Sequence, residues 1–415
     1  MNNSSRRDFI MKALMGGAAA VASECLLFKN SRCLLAGLTA SATPASSSAA
    51  SSLSAKFSGV SAAPASPSDA SCYSHKEAFA EREAMYYTRL DRSRVQCDLC
   101  FRNCNIREGN RGFCRNRENR QGKLYNVVYG RPSAVHTDPV EKEPQHHMLP
   151  GSEMLSLGTA GCNFRCRHCH NWHLSQRSIE EIGRYYELTP QDVVNRAKEL
   201  GVSIISSTYN EPTVFYEYVL DFAKIAKKEG LRILWHSNGY IQPEPLKELL
   251  QYTDAVTIDL KGFSRLAYEN SSAERGPVLR TLKIINDSDV WLEIVNLVIP
   301  AINDYSNEIK EMCEWIRDDL SPEVPLHFSR FFPNYKLTNL SPTPVDTLER
   351  AYEIAHKAGL HYVTLGNVPG HEYNSTFCPQ CKEILIRRVH FEVTENNISD
   401  GRCASCKHKI PGIWS

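Results

Sequence analysis

Gly161-Cys162-Asn163-Phe164-Arg165-Cys166-Arg167-His168-Cys169-His170-Asn171-Trp172 places three cysteines at C-x3-C-x2-C within one short loop. That spacing lets three sulfurs turn towards one point, and soft thiolates select iron-sulfur clusters, zinc or copper(I). A structural zinc site wants four ligands, whereas a four-iron cluster on three cysteines leaves one iron open to an exogenous ligand. Two other arrangements stay open from the residues alone. One is a zinc ion with His168, His170 or His173 as fourth ligand; the other is a disulfide with one thiol left over.

The loop follows a short β-rich run, and the chain beyond it alternates such runs with amphipathic stretches, the pattern of βα units and a parallel sheet. The expected strands are 154–158, 203–208, 232–237, 255–260, 291–299, 326–331 and 362–366, and the expected helices 190–200, 214–228, 243–251, 277–285, 306–319 and 344–358. Thr189-Pro190-Gln191-Asp192 and Thr343-Pro344-Val345-Asp346 both read as an N-cap, a proline at the first helical position and an early acid. The fold class is therefore α/β, a full or partial TIM-like (β/α) barrel. In such barrels the chemistry sits where strands end, and each expected strand end here carries polar residues. They include Cys162, Asn210, Glu211, Asn238, Asp259, Lys261, Asn303, Arg330 and Asn367.

At the three-cysteine loop the sequence resembles the radical SAM superfamily, with Cys162, Cys166 and Cys169 on its three ligand positions. Further motifs resemble one branch of it, the AmmeMemoRadiSam-system radical SAM enzymes, relatives of the pyruvate formate-lyase activating enzyme. They are Asp138-Pro139-Val140-Glu141-Lys142-Glu143-Pro144, Leu149-Pro150-Gly151-Ser152, Thr208-Tyr209-Asn210-Glu211-Pro212, His236-Ser237-Asn238-Gly239-Tyr240, Asp259-Leu260-Lys261-Gly262 and Gly366-Asn367-Val368-Pro369-Gly370. The resemblance covers roughly residues 95 to 414. Two positions depart from the usual pattern: His168 stands where an aromatic residue usually precedes the third cysteine, and His170 where Gln is more usual and activases carry His.

The resemblance implies a [4Fe-4S] cluster on Cys162, Cys166 and Cys169, with S-adenosylmethionine chelating the open iron. Reductive cleavage of the cofactor would yield a 5′-deoxyadenosyl radical that abstracts hydrogen from a substrate. It places Phe164, His168 and Asn171 beside the cofactor, Asn210 and Glu211 near its methionyl end, and Ser237 and Asn238 near its carboxylate or ribose. Asp259 and Lys261 join this set, either positioning a ligand or pairing with each other, and Arg330 and Tyr335 face the same choice. It also implies a low-potential electron donor of ferredoxin or flavodoxin type, and it admits a protein substrate. Two rival readings stand beside the leading one: a glycyl-radical-enzyme activase, and a non-catalytic iron-sulfur electron carrier or metal-binding protein.

Two further cysteine groups flank the loop. Cys97, Cys100, Cys104 and Cys114 supply four thiolates among turn residues, which suits either structural zinc or a second iron-sulfur cluster. Cys378-Pro379-Gln380-Cys381 and Cys403-Ala404-Ser405-Cys406 are paired C-x2-C knuckles around a β-rich run, Glu383 to Val393, and read as a zinc-ribbon-like module. The alternative is a rubredoxin-like iron site, with two disulfides only if an oxidising space is met before metal loading. Ile410-Pro411-Gly412-Ile413-Trp414 reads as a tail packed beside it. These three groups hold 11 of the 15 cysteines; of the rest, Cys313 falls in an expected helix as a buried, inert thiol.

Composition sets the outer limits. With 48 Lys+Arg against 47 Asp+Glu and a net charge of +1, the 415-residue chain is not built to neutralise nucleic-acid phosphates or an anionic membrane. Ser5-Arg6-Arg7-Asp8-Phe9 before a mostly apolar stretch, Ala13 to Phe28, resembles a twin-arginine export signal, too short and broken for a stable membrane span. A functional signal means export to the periplasm or cell envelope; otherwise the protein stays cytoplasmic. Residues 40–71, rich in Ser, Ala and Pro, read as a disordered tether. The expected organisation is a signal segment at 1–36, a linker at 37–72, a four-cysteine module and lead-in at 73–150, the barrel at 151–370, and the paired C-x2-C module at 371–415.

Overall fold

The computed structural model describes residues 82–415. The expected signal segment, the tether and the first residues of the lead-in lie outside the described residues.

Eight strands form the central sheet: β1 (Ala134–Pro139), β2 (Glu153–Gly158), β3 (Ile204–Ser207), β4 (Arg232–Ser237), β5 (Ala255–Asp259), β6 (Trp291–Val298), β7 (Leu326–Arg330) and β8 (Val363–Gly366). They lie side by side in chain order, β2 to β8 all parallel, with β1 antiparallel on the outer edge of β2. The sheet ends at β1 and β8, so the barrel is partial. Apolar strand runs such as Ala255-Val256-Thr257-Ile258 are buried on both faces, as expected for parallel strands covered by crossover helices. β1 is the strand that periodicity does not announce: it is a polar, mostly half-exposed edge, and Pro139 closes it where an edge strand tolerates a missing N–H.

The covering helices are α1 (Pro190–Glu199), α2 (Tyr216–Lys228), α3 (Pro243–Leu250), α4 (Arg275–Asn286), α5 (Ser306–Asp319) and α6 (Val345–Lys357). α1 starts as its sequence dictates. Thr189 Oγ1 accepts from the Asp192 amide at 3.1 Å while the Asp192 carboxylate accepts from the Thr189 amide at 2.8 Å, a reciprocal cap behind Pro190. The matching motif before α6 behaves differently. Thr343 is buried and its hydroxyl donates to the Val298 carbonyl at 2.6 Å and accepts from the Phe331 amide at 3.2 Å, so it ties the ends of β6 and β7 together, and Pro344 precedes the helix without a side-chain cap. On α5 the residues Ile309, Met312, Cys313 and Ile316 repeat at helical spacing and face the sheet, which leaves Cys313 wholly buried.

Small antiparallel elements cap this core. Before β1, two three-stranded sheets carry the first cysteine group, in the order 82–83, 123–126, 117–120 and in the order 87–89, 95–97, 105–106. After β8, β9 (Thr376–Phe377), β10 (Ile384–Val389) and β11 (Glu392–Asn396) form a third sheet; the predicted β-rich run is the β10–β11 hairpin, turning at His390 and Phe391. Trp414 packs on the core of that unit, and the tail also pairs with the lead-in, where the Leu149 amide donates to the Ile413 carbonyl at 2.8 Å. Among the described residues no helix is long and apolar enough to cross a membrane.

Candidate active site

The three-cysteine loop begins two residues after β2 and is held by its neighbours' backbone and side chains. Gly161 has φ +78°, and a β-carbon there would run into the Cys114 carbonyl and sit 2.7 Å from Asn116 Oδ1, so only glycine fits. Asn210, at the end of β3, accepts from the Thr159 amide at 3.0 Å and donates to the Gly161 carbonyl at 2.8 Å. The amides of Arg165 and Arg167 donate to the carbonyls of Ser271 and Asn270 at 3.0 and 3.1 Å. Buried Asn163 donates to the Tyr240 carbonyl at 3.2 Å and accepts from Asn238 Nδ2 at 2.7 Å. Loop shape is thus dictated by the ends of β2, β3 and β4, by the segment after β5 and by the cysteine-rich module.

Cys162, Cys166 and Cys169 all face one cavity of about 370 Å³ at the strand ends. Burial pushes the Cys169 thiol up to about 11 and that of Cys162 well above its ordinary value, where Glu211 adds to the effect. Such thiols ionise only against a bound cation, which is what metal ligation supplies. The Phe164 amide donates to Cys162 Sγ at 3.3 Å, and Cys169 Sγ and Ser175 Oγ share a hydrogen bond at 3.1 Å. Among the described residues, the one group of His, Cys or acidic side chains whose donor atoms all lie within 4.8 Å of one another is the C-terminal cysteine set. The loop sulfurs therefore stand wider than the ligands of a single ion and no histidine joins them. This fits three corners of a cluster and does not fit a tetrahedral zinc with His168, His170 or His173.

Every residue expected beside the cofactor lines this cavity, from Phe164, His168 and Asn171 of the loop to Asn210, Glu211, Ser237, Asn238, Asp259 and Lys261 of the strand ends. Several are already engaged. Glu211 accepts at Oε1 from the Thr213 hydroxyl and amide and from Ser237 Oγ at 2.6, 3.0 and 2.8 Å, and at Oε2 from the Asn238 amide at 2.8 Å. His168 Nδ1 accepts from Asn270 Nδ2 at 3.0 Å, and burial with help from Lys261 pulls it down to about 3, so its ring is neutral. Arg330 donates to the Thr343 carbonyl at 2.7 Å, and Tyr335 stacks on Trp172.

Asp259 and Lys261 pair at 2.6 Å, and His236 on β4 lies 3.5 Å from Asp259 and 3.7 Å from Glu143. Burial opposes the Asp259 carboxylate, yet Lys261 and His236 hold it below its usual range. Burial alone would depress His236, but Asp259 and Glu143 outweigh it and hold the imidazole above its ordinary value. Glu143, buried, is pushed up to about 7. Sequence reasoning missed His236 and Glu143 as site residues, although both stand in quoted motifs; their meeting is a contact between β4 and the short turn after β1. It also missed the far wall, where His146 and His327 line the cavity. Glu293, wholly buried on β6, accepts from the amides of His146 and His147 at 2.8 and 2.7 Å and from His327 Nε2 at 2.6 Å. The hairpin tip residues His390 and Phe391 reach the same cavity from the C-terminal unit.

The other cysteine groups are also assembled. Cys378 and Cys406 lie 3.6 Å apart and Cys381 and Cys403 3.7 Å apart, against about 3.8 Å for sulfurs around one tetrahedral ion with bonds of about 2.3 Å. Cys97, Cys100, Cys104 and Cys114 line a small void of their own.

Residues 156–316 match the family profile of the radical SAM superfamily. An uncharacterized protein of Methanocaldococcus jannaschii is 45% identical over 331 residues, 79% of this chain and 98% of that protein. The pyruvate formate-lyase 1-activating enzyme of Escherichia coli K12 is 25% identical over 229 residues, 51% of this chain and 91% of that enzyme. Among solved structures, a domain of the pyruvate-formate lyase-activating enzyme from Bacteroides vulgatus aligns with a TM-score of 0.35 at 18% identity, covering 39% of this chain and 98% of that one.

Proposed function

Because the chain belongs to the radical SAM superfamily, we propose that it is an AmmeMemoRadiSam-type radical SAM enzyme acting by hydrogen abstraction at the strand-end cavity. The observation that carries this reading is the loop itself: three sulfurs facing one cavity, two of them on buried cysteines, spaced too widely for a single ion and held by a glycine that accepts no substitute. Cys162, Cys166 and Cys169 would hold a [4Fe-4S] cluster, which when bound would supply the electron for reductive cleavage of S-adenosylmethionine.

The remaining residues bind, orient and exclude water. Phe164 and neutral His168 give the loop side of the cavity an apolar and uncharged face suited to an adenine. Asn210 fastens the Gly161 turn, and Glu211 fixes Ser237 and the Asn238 amide, so that these groups hold the loop while lining the ligand space. Asp259, Lys261 and His236 form a charged patch next to His168, which recognises polar groups of the substrate and keeps a proton on His236 available beside them. His390 and Phe391 roof the cavity. That roof favours a small molecule or a short peptide segment as substrate. The activase reading, in which a glycine of a partner protein is the target, draws on the likeness to the Escherichia coli activating enzyme.

Zinc on Cys378, Cys381, Cys403 and Cys406 completes the proposal, as does delivery of electrons by a ferredoxin- or flavodoxin-class donor. Export by the twin-arginine route is proposed for the Arg6-Arg7 segment; Arg6→Lys/Arg7→Lys should then hold the protein in the cytoplasm, and identical location of both forms contradicts it. The central test is anaerobic protein given dithionite and S-adenosylmethionine. It should release 5′-deoxyadenosine and Cys166→Ala should release none; a cluster-loaded parent that releases none contradicts the proposal.

A further inference from the structure

We propose that Cys97, Cys100, Cys104 and Cys114 hold a second [4Fe-4S] cluster, placed to pass electrons to the three-cysteine loop, and not a zinc ion. The relay role rests on the reading of that loop given above; the identity of the metal does not.

The protein carries its own standard for a single ion. At the C-terminal site four sulfurs close to 3.6 and 3.7 Å in pairs. The N-terminal four line one common void, yet among the described residues no three of them come within 4.8 Å of one another. Thiolates on one tetrahedral ion must crowd to about 3.8 Å. Thiolates on a four-iron cube bind four different corners and stand farther apart. All four cysteines are free of disulfides, so the wide spacing is not that of two cystines.

The surroundings suit a bound anionic cluster. The Phe113 amide donates to Cys104 Sγ at 3.4 Å. Amide donors to cluster sulfurs are among the groups that set a cluster's potential. Arg102 also lines the void, and Arg102 and Arg165 lie over the Phe113 ring at 4.1 and 4.0 Å, bringing two cations to the anionic site.

Position gives the site a direction. Cys97 and Cys114 are buried, while Cys100 and Cys104 are partly exposed, so one side meets solvent and the other meets the barrel. On the inner side the Cys114 carbonyl packs on Gly161, the residue before Cys162. Asn163 lines the void and its Oδ1 lies 4.0 Å from Cys162 Sγ. Arg165 bridges the two segments, donating to the carbonyls of Phe113 and Cys162. A low-potential one-electron donor protein would lose one electron at the exposed side, and the loop cluster would gain it; the second cluster returns to its starting state and no bond to carbon changes.

The test is metal and sulfide analysis of the anaerobically reconstituted full chain, with EPR after dithionite reduction. The parent should hold about eight irons and about one zinc per chain. Cys100→Ser/Cys104→Ser should fall to about four irons and keep a signal that responds to S-adenosylmethionine; Cys166→Ala/Cys169→Ala should also keep about four irons, with a signal that ignores it. The second variant keeps the two readings separate, because its remaining irons report on the N-terminal site whether or not the loop performs chemistry. Magnetic interaction between two reduced clusters should broaden the parent signal and vanish in both variants. About four irons and about two zincs in the parent would overturn the assignment, as would a Cys166→Ala/Cys169→Ala protein without iron. A parent spectrum that is the plain sum of the two variants would overturn the relay.

Discussion

Arg117 of the cysteine-rich module meets Glu217 on α2 at 2.6 Å, both side chains almost wholly withdrawn from solvent. Glu217 also accepts from the Met85 amide and from Asn126 Nδ2, each at 2.7 Å, so one buried carboxylate anchors three points of the module to the barrel wall. Removing one partner leaves an uncompensated charge. Arg117→Met should cost roughly 3–5 kcal/mol in denaturant unfolding, and the double variant Arg117→Met/Glu217→Leu should recover only part of it, because the Met85 amide and Asn126 Nδ2 then lose their acceptor. A single variant as stable as the parent contradicts this role.

Gly161→Ala tests how tightly the loop is dictated. A methyl group there meets backbone at a positive φ, whereas Gly201, at φ +69° with open space around it, meets only conformational strain. Gly201→Ala should cost about 1 kcal/mol and leave iron content unchanged. Gly161→Ala should cost more and strip iron from the loop, read by iron analysis beside thermal unfolding. Equal behaviour of the two variants would sink the argument.

Glu143 gives the fold a pH dependence of known sign. Its carboxyl keeps its proton to about pH 7 in the folded protein, against an ordinary value of 4.5, because burial penalises the charge. The folded state therefore binds more protons than the unfolded chain between these values, and stability falls as pH rises through that window. His236, also held above its ordinary value, acts in the same direction. Glu143→Gln should flatten the decline in thermal midpoint between pH 4.5 and 7, with the difference between variant and parent as the measured quantity. An identical pH profile for both proteins rules the burial argument out.

A metal ion held by Cys378, Cys381, Cys403 and Cys406 would support more than its own knuckles. Arg388 on β10 is buried, donates to the His146 carbonyl at 2.8 Å and to Thr376 Oγ1 at 2.7 Å, and lies 3.8 Å from Glu141. Chelation of the metal, or Cys403→Ser, should loosen β10 and withdraw this cation from the barrel floor. The expected loss is about 3 kcal/mol or more, with amide protection lost in β10 and β11 by hydrogen exchange. Full protection in metal-free protein contradicts the coupling.

Much of the barrel could be read directly. β3 to β8 lie within a residue or so of their expected bounds because buried parallel strands must be apolar and β-branched over four to eight residues, and helices such as α1 announce themselves by a cap and a proline. Most of the polar strand ends converge on one cavity as the barrel rule requires, whereas Asn303 and Arg330 lie outside it, bonded to the Lys261 and Thr343 carbonyls. What stayed hidden depends on pairing across long separations. β1 is a polar edge with no periodicity of its own; Thr343 had the local chemistry of a cap but a better partner in the Val298 carbonyl. His236 meets Glu143, and Phe391 reaches the cavity, only because the fold brings them there.

The most direct measurement is Mössbauer spectroscopy of anaerobic, iron-57-loaded Cys100→Ser/Cys104→Ser protein, in which the loop site stands alone. One iron in about four should differ from the rest and shift when S-adenosylmethionine is added. Four equivalent irons with no response, or a loop that binds zinc and no iron, would contradict the account.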